Sequence, residues 1–147
     1  DASKIAALGA CVWVDTYATP GVYDNISRFI FSEFTPARML AILQDKTVWV
    51  CSDHGSLKGY MVWGKEERGR IEIETLYVLP RCQHSGIGRQ FIQTARTWPS
   101  KTFWLSVWEQ NHRAIAFYLN LGFRETGELF FDLYGERIRN MVLEINT

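Results

Sequence analysis

Residues 71–92 read IEIETLYVLPRCQHSGIGRQFI, and this stretch decides the fold. Ile71 to Val78 is an apolar, β-branched run, which predicts a strand. Pro80-Arg81 then marks a turn, and Gly86-x-Gly88 opens a helical pattern. The first amides of a helix lack intrahelical partners and sit at the positive end of its dipole, so a strand feeding a glycine loop at a helix start suits phosphate. Gly86 and Gly88 carry no Cβ, which lets a ligand approach the main chain closely. Arg89 follows the last glycine, so the loop is not GxxxxGK[ST], and the GxGxxG dinucleotide fingerprint fails as well. The remaining pattern is Gln83-x-x-Gly86-x-Gly88.

The chain has 147 residues, 47% hydrophobic and 14% aromatic, which predicts one domain, 1–147, with a full core. With 16 basic and 16 acidic residues there is no net field to recruit nucleic acid. No apolar run reaches membrane-span length and no secretory signal is visible, so no membrane association is expected. Cys11, Cys51 and Cys82 form neither a disulfide framework nor a C-x-x-C pair, which points to reduced thiols and a cytoplasmic setting. His54, His84 and His112 lack ligand spacing, so no metal is predicted.

Outward from the loop, helices are predicted over residues 3–16, 23–31 and 35–43, the last with Thr35 as N-cap and Pro36 in first position. Residues 47–52 and 57–64 read as strands around the turn Asp53-His54-Gly55-Ser56. Lys65 to Arg70 reads as a charged, solvated turn. After the loop come a helix from about Gly86 to Trp98, closed by Pro99, and a strand over 102–108. Asn111 is placed to cap a helix running to Leu121, with Gly122 as its stop. Residues 123–134 and 137–145 form a hairpin around Gly135.

Within LSVWEQNHRAIAFYLNLGF, the residues Asn111, Ala114, Phe117, Tyr118, Gly122 and Phe123 stand at fixed offsets, about two dozen residues after the glycine loop. Taken with Gln83-x-x-Gly86-x-Gly88, this resembles the GNAT superfamily of acetyl-CoA-dependent N-acetyltransferases. IEIETLYV, Val-Trp-Glu-x-Asn and Ala-Ile-Ala-Phe-Tyr are most similar to the PaiA-type spermidine/spermine acetyltransferases. The resemblance implies a mixed, mostly antiparallel α/β sheet of about six to seven strands, helices on both faces, splayed between the family's strands four and five. The family opens with a strand before its first helix, and here that strand is expected to be missing, since the sequence starts at the helix.

By the same resemblance acetyl-CoA lies along Leu76, Tyr77 and Val78, with main-chain groups of Leu76 and Val78 pairing with pantetheine and one N–H serving the thioester carbonyl. The segment Gln83, His84, Ser85, Gly86, Ile87, Gly88 and Arg89 takes the pyrophosphate, with Arg81 and Arg89 as charge partners. Tyr118 matches the position that protonates the departing thiolate, and Asn111 the position that bonds pantetheine, although Asn111 has a rival role as N-cap.

A primary amine is almost wholly protonated at pH 7, a penalty of about 4.6 kcal/mol that a carboxylate would relieve. Glu72 and Glu74 alternate with Ile71 and Ile73 and so share a sheet face, which reads either as a polar cleft or as an open end of the sheet. Glu109 is a further acid, with Tyr17, Tyr23, Asp24 and Phe31 as wall residues and Trp108 bordering the site. The expected activity is direct acetyl transfer to a small polyamine-like amine. A protein N-terminus, lysine or aminoglycoside acceptor, and an idle acyl-CoA sensor, are the alternatives; a homodimer is compatible with the fold.

Overall fold

The computed structural model describes residues 1–99 and 101–147. Its elements are α1 (Ala2–Tyr17), α2 (Asp24–Glu33), α3 (Pro36–Asp45), β1 (Val48–Asp53), β2 (Ser56–Glu67), β3 (Arg70–Val78), a 3₁₀ turn (Pro80–Cys82), α4 (Ile87–Ala95), β4 (Thr102–Trp108), α5 (His112–Asn120), β5 (Arg124–Leu133) and β6 (Glu136–Asn146). The six strands hydrogen-bond in the order β1-β2-β3-β4-β6-β5, an open mixed sheet. Strands β1–β2, β4–β6 and β5–β6 pair antiparallel, and β3–β4 is parallel. This is the GNAT-like architecture that the sequence implies, with β3 and β4 standing where the family has strands four and five.

Two of the boundaries that differ from the sequence reading have a plain physical cause. Lys65, Glu66 and Glu67 lie in β2, so the charged turn shrinks to Arg68-Gly69, both at positive φ (53° and 76°). Their side chains are exposed while the backbone stays in the sheet, and Lys101 pairs with Glu66. Helix α4 ends at Ala95 rather than Trp98, because Thr97 and Trp98 N–H turn to the carbonyls three residues back, at Thr94 and Ala95. Among the described residues no helix is long and apolar enough to cross a membrane.

The contacts divide the chain into two units: residues 1–63 with 75–91, and residues 64–74 with 92–147. In the first, Ile5, Leu8 and Val12 of α1 form a helical stripe against Met39 of α3 and Tyr60 and Val62 of β2. Gly9 permits this approach, since a Cβ there would stand 2.4 Å from the Phe34 ring and 2.7 Å from the Tyr60 hydroxyl. Thr35 caps α3 through its hydroxyl, which accepts from Arg38 N–H at 3.1 Å. Trp13 is stacked between Tyr17 (4.1 Å) and Phe29 (4.0 Å), and its indole N–H donates to the Tyr77 hydroxyl at 2.9 Å.

In the second unit β4 alternates strictly: Phe103, Leu105 and Val107 are buried, and Thr102, Trp104, Ser106 and Trp108 are half-buried. Pairing runs from Thr102↔Asn146 to Trp108↔Asn140. One face therefore carries Ile71, Phe103 and Ile145 in register, and the other carries Glu72, Trp104 and Glu144. On that second face the Arg70 guanidinium lies 4.5 Å over the Trp104 ring and pairs with Glu144.

The first unit's tyrosines set an alkaline limit. Burial pushes the Tyr77 phenol up to about 12, against the Trp13 hydrogen bond, which pulls it down. Burial raises Tyr17 and Tyr60 as well, each with a further push from Tyr77. A folded pKa above the unfolded value near ~10 means that the native state holds its proton longer than the unfolded chain. The resulting stability is complete below about pH 10 and is lost as pH rises toward 12. Thermal melts from pH 8 upward should show a flat Tm followed by a steep fall above about pH 10, and Tyr77→Phe should shallow that fall while lowering Tm at pH 8 by stranding the Trp13 N–H. A Tm indifferent to alkali would contradict the buried cluster.

Candidate active site

The glycine loop belongs to the first unit. Cys82 N–H returns to Leu79 C=O (2.7 Å), Gln83 N–H to Pro80 C=O (3.3 Å), and Leu79 N–H to Lys58 C=O (2.9 Å). The Gln83 side-chain amide donates to Val78 C=O at 3.2 Å, so Gln83 clips the loop to the end of β3. The Ser85 hydroxyl is likewise committed within the loop, donating to Cys82 C=O. His84 and Gly86 adopt positive φ, 66° and 88°, on either side of Ser85. Alternation of left-handed with ordinary backbone turns successive amides toward one concavity, the geometry of an anion nest.

The first intrahelical bond of α4 runs from Gln90 N–H to Gly86 C=O at 2.9 Å, so the amides of Ile87, Gly88 and Arg89 precede the helical ladder. No atom lies within 4 Å of the place a Gly86 Cβ would occupy. Gly86 is thus required by its backbone angle and faces open space, which fits a phosphate-bearing ligand at this loop. Arg81, His84 and Arg89 are exposed around it. Leu76 and Val78 are half-buried on β3, while the Tyr77 side chain is spent on the aromatic cluster, leaving only its main chain for a ligand.

The acids belong to the second unit. Glu72 is half-buried and Glu74 exposed, and both share a face, as alternation with buried Ile71 and Ile73 requires. Gly64 on β2 makes room for them: a Cβ there would stand 3.1 Å from Glu72 Cβ and 3.1 Å from Glu74 Oε1. The parallel register with β4 covers Arg70↔Thr102, Ile71↔Phe103 and Glu72↔Trp104 and goes no further among the described residues. The two acids therefore mark the end of that ladder.

Tyr118 and Asn111 sit on α5. The Asn111 side-chain oxygen accepts from Ala114 N–H at 3.3 Å, so the capping role is realised. At the other end Phe123 N–H returns to Tyr118 C=O (3.1 Å) and Gly122 N–H to Leu119 C=O (3.0 Å), with Gly122 at φ 101°. This is a Schellman cap, and its usual apolar contact is made here by the Phe123 ring against Tyr118, at 5.3 Å between centroids. Phe117 adds a second edge contact at 5.1 Å, and Tyr118 is only 8% exposed.

A Cβ at Gly122 would lie 3.5 Å from Ile145, so the end of α5 rests on the Ile71–Phe103–Ile145 face. Glu72 and Glu74 lie on the opposite one. Glu109 is tied down: the Arg139 guanidinium donates to it at 2.8 Å and to Glu128 at 2.6 Å. Of the wall residues, Tyr17 stacks on Trp13, whereas Asp24, Tyr23 (62%) and Phe31 (78%) are exposed. Among the described residues no group of three His, Cys, Asp or Glu side chains could hold a metal ion.

Sequence reading missed two features. Gly64 reads as a strand end, and its neighbours follow only from pairing. Asn140 on β6 is 8% exposed, donates from Nδ2 to the Ser106 hydroxyl at 3.3 Å, and keeps a buried Oδ1 with no partner among the described residues. Such an oxygen typically costs about 1–3 kcal/mol.

Over residues 14–123 the sequence matches the Acetyltransferase (GNAT) family. It is 26% identical over 139 residues, 90% of this chain and 89% of the relative, to an uncharacterized N-acetyltransferase of Mycobacterium tuberculosis. It is 29% identical over 103 residues, 62% of this chain and 65% of the relative, to the spermine/spermidine N(1)-acetyltransferase of Bacillus subtilis. The fold is similar to that of the PaiA N-acetyltransferase of Thermoplasma acidophilum crystallised with coenzyme A, with TM-score 0.81, 19% identity, and coverage of 100% of this chain and 93% of that one. The matched span runs from within α1 to the Phe123 that seals the α5 cap, taking in the glycine loop, the paired acids and Tyr118, and the chain belongs to the GNAT family of acetyltransferases.

Proposed function

We propose that residues 1–147 act as one acetyltransferase domain that passes the acetyl group of acetyl-CoA directly to a primary amine of a small polyamine-like acceptor. The observation that carries this reading is the pair Glu72 and Glu74, seated beside Gly64 where the β3–β4 ladder ends. Two carboxylates on one face draw cations and supply a proton acceptor for the attacking nitrogen. The spermine/spermidine enzyme among the relatives supports the same acceptor class.

The amides of Ile87, Gly88 and Arg89 hold the pyrophosphate in the nest formed by His84 and Gly86, with Arg81 and Arg89 as outer charges. Main-chain groups of Leu76, Tyr77 and Val78 align the pantetheine arm, and an N–H of this stretch faces the thioester carbonyl. Asn111 contributes through the helix start that it caps, and Tyr118 gives a proton to the departing sulfur. A phenol near ~10 is weaker as an acid than a thiol near ~8.5 by roughly 2 kcal/mol, so donation accompanies C–S cleavage rather than preceding it.

The direct test is thiol release from acetyl-CoA against diamines, polyamines, aminoglycosides and peptides. Polyamines should give the highest kcat/KM; release with peptides alone would overturn the acceptor class. Tyr118→Phe keeps the ring contacts with Phe117 and Phe123 and should lower kcat about a hundredfold or more with acetyl-CoA affinity little changed. Equal loss of both would make Tyr118 a binding residue. Gly86→Val forces a β-branched residue to φ 88° and should weaken acetyl-CoA binding at least tenfold while the protein stays folded. Unchanged affinity in calorimetry would remove the loop assignment.

A further inference from the structure

The Asn140 Oδ1 calls for an account that the family match does not give. Its two nearest neighbours in the same row of β6, Ile138 and Val142, are buried and apolar, with Glu144 beyond them. A valine or leucine would fill the same space, so packing alone does not explain an amide. Nδ2 is committed to the Ser106 hydroxyl, which leaves an oxygen that can only accept. The matching ligand group is an N–H donor.

The register shows what lies beside it. Glu72, Trp104 and Glu144 are level on one face; Ser106 is two residues along β4 from Trp104, and Asn140 is opposite Trp108. Glu72, Ser106 and Asn140 thus form a diagonal polar line across three adjacent strands, edged by Trp104 and Trp108. With strands about 4.8 Å apart and residues about 3.3 Å apart, Cα to Cα from Glu72 to Ser106 is about 8 Å, and to Asn140 about 16 Å. Asn140 leans toward Ser106 and so shortens the span between the functional groups. Trp104 already holds one cation, the Arg70 guanidinium, on its ring. A tryptophan edge of this kind suits an alkylammonium.

Resting on the reading of the acid face as the amine side, we propose that Asn140 Oδ1 is the specificity-determining acceptor for the remote amino group of an elongated di- or polyamine. The reacting nitrogen lies by Glu72 and Glu74, the methylene chain crosses Ser106, and the second nitrogen donates to Asn140 beside Trp108. Short diamines cannot reach both ends.

The test compares diaminopropane, diaminooctane and spermidine on the wild type, Asn140→Leu and Asn140→Asp, with turnover, calorimetric binding of each amine in the presence of CoA, and Tm. The wild type should favour the two long amines over diaminopropane at least tenfold in kcat/KM. Asn140→Leu should erase that preference, leave acetyl-CoA affinity unchanged and hold or raise Tm. Asn140→Asp should keep the preference, because an acceptor remains. A leucine variant with undiminished length preference, or a wild type with none, overturns the assignment. If no amine is acetylated yet diaminooctane binding drops tenfold in Asn140→Leu, the site stands and the transferase reading of the acceptor falls. If the wild type binds no amine, both fall.

Discussion

A parallel ladder of three residue pairs is the constraint on which the site depends. Parallel strands ordinarily satisfy their main-chain groups along their length, and every buried amide or carbonyl must find a partner. Here the register stops at Glu72↔Trp104, and the groups further along β3 are served otherwise: Val78 C=O by the Gln83 side chain, and Leu79 N–H by Lys58 C=O. On the proposed reading, the early end of the ladder is what lets main-chain groups of Leu76 to Val78 align the pantetheine arm.

Several residues proposed for the reaction are also architectural. The Phe-Tyr-x-x-x-Gly-Phe pattern is a helix terminator: Gly122 adopts the left-handed angle, the two capping hydrogen bonds close, and Phe123 packs on Tyr118. The ring assigned to proton donation is therefore also the apolar half of the cap, and its placement follows from how α5 stops. Asn111 repeats the arrangement at the other end, where the side chain at the pantetheine-bonding position holds the first turn. Gln83 does so in the loop.

Local signals in the chain made these parts legible. Thr35-Pro36, Asn111 and Gly122 announce helix ends because caps depend on a few neighbouring residues, and each was found where the sequence placed it. Alternation put Glu72 and Glu74 on one face for the same reason. What stayed hidden depends on partners far along the chain. The function of Gly64 appears only when β2 is set against the acids, and the amide of Asn140 gains meaning only beside Ser106, 34 residues away. Lys65 to Glu67 misled because charge marks solvent exposure, which an extended strand allows as readily as a turn does. The enclosure of Tyr118 by Phe117 and Phe123 likewise follows from how α5 stops.

The tryptophans have an optical consequence. Of the six, Trp13, Trp49 and Trp63 fall in one unit and Trp98, Trp104 and Trp108 in the other. Trp13 is stacked and hydrogen-bonded, Trp49 and Trp63 meet edge to face at 5.2 Å, and Trp104 carries a guanidinium. Each half of the molecule thus contains indoles in distinctive surroundings, and emission from variants that keep one set or the other reads directly whether the two halves denature in a single cooperative step.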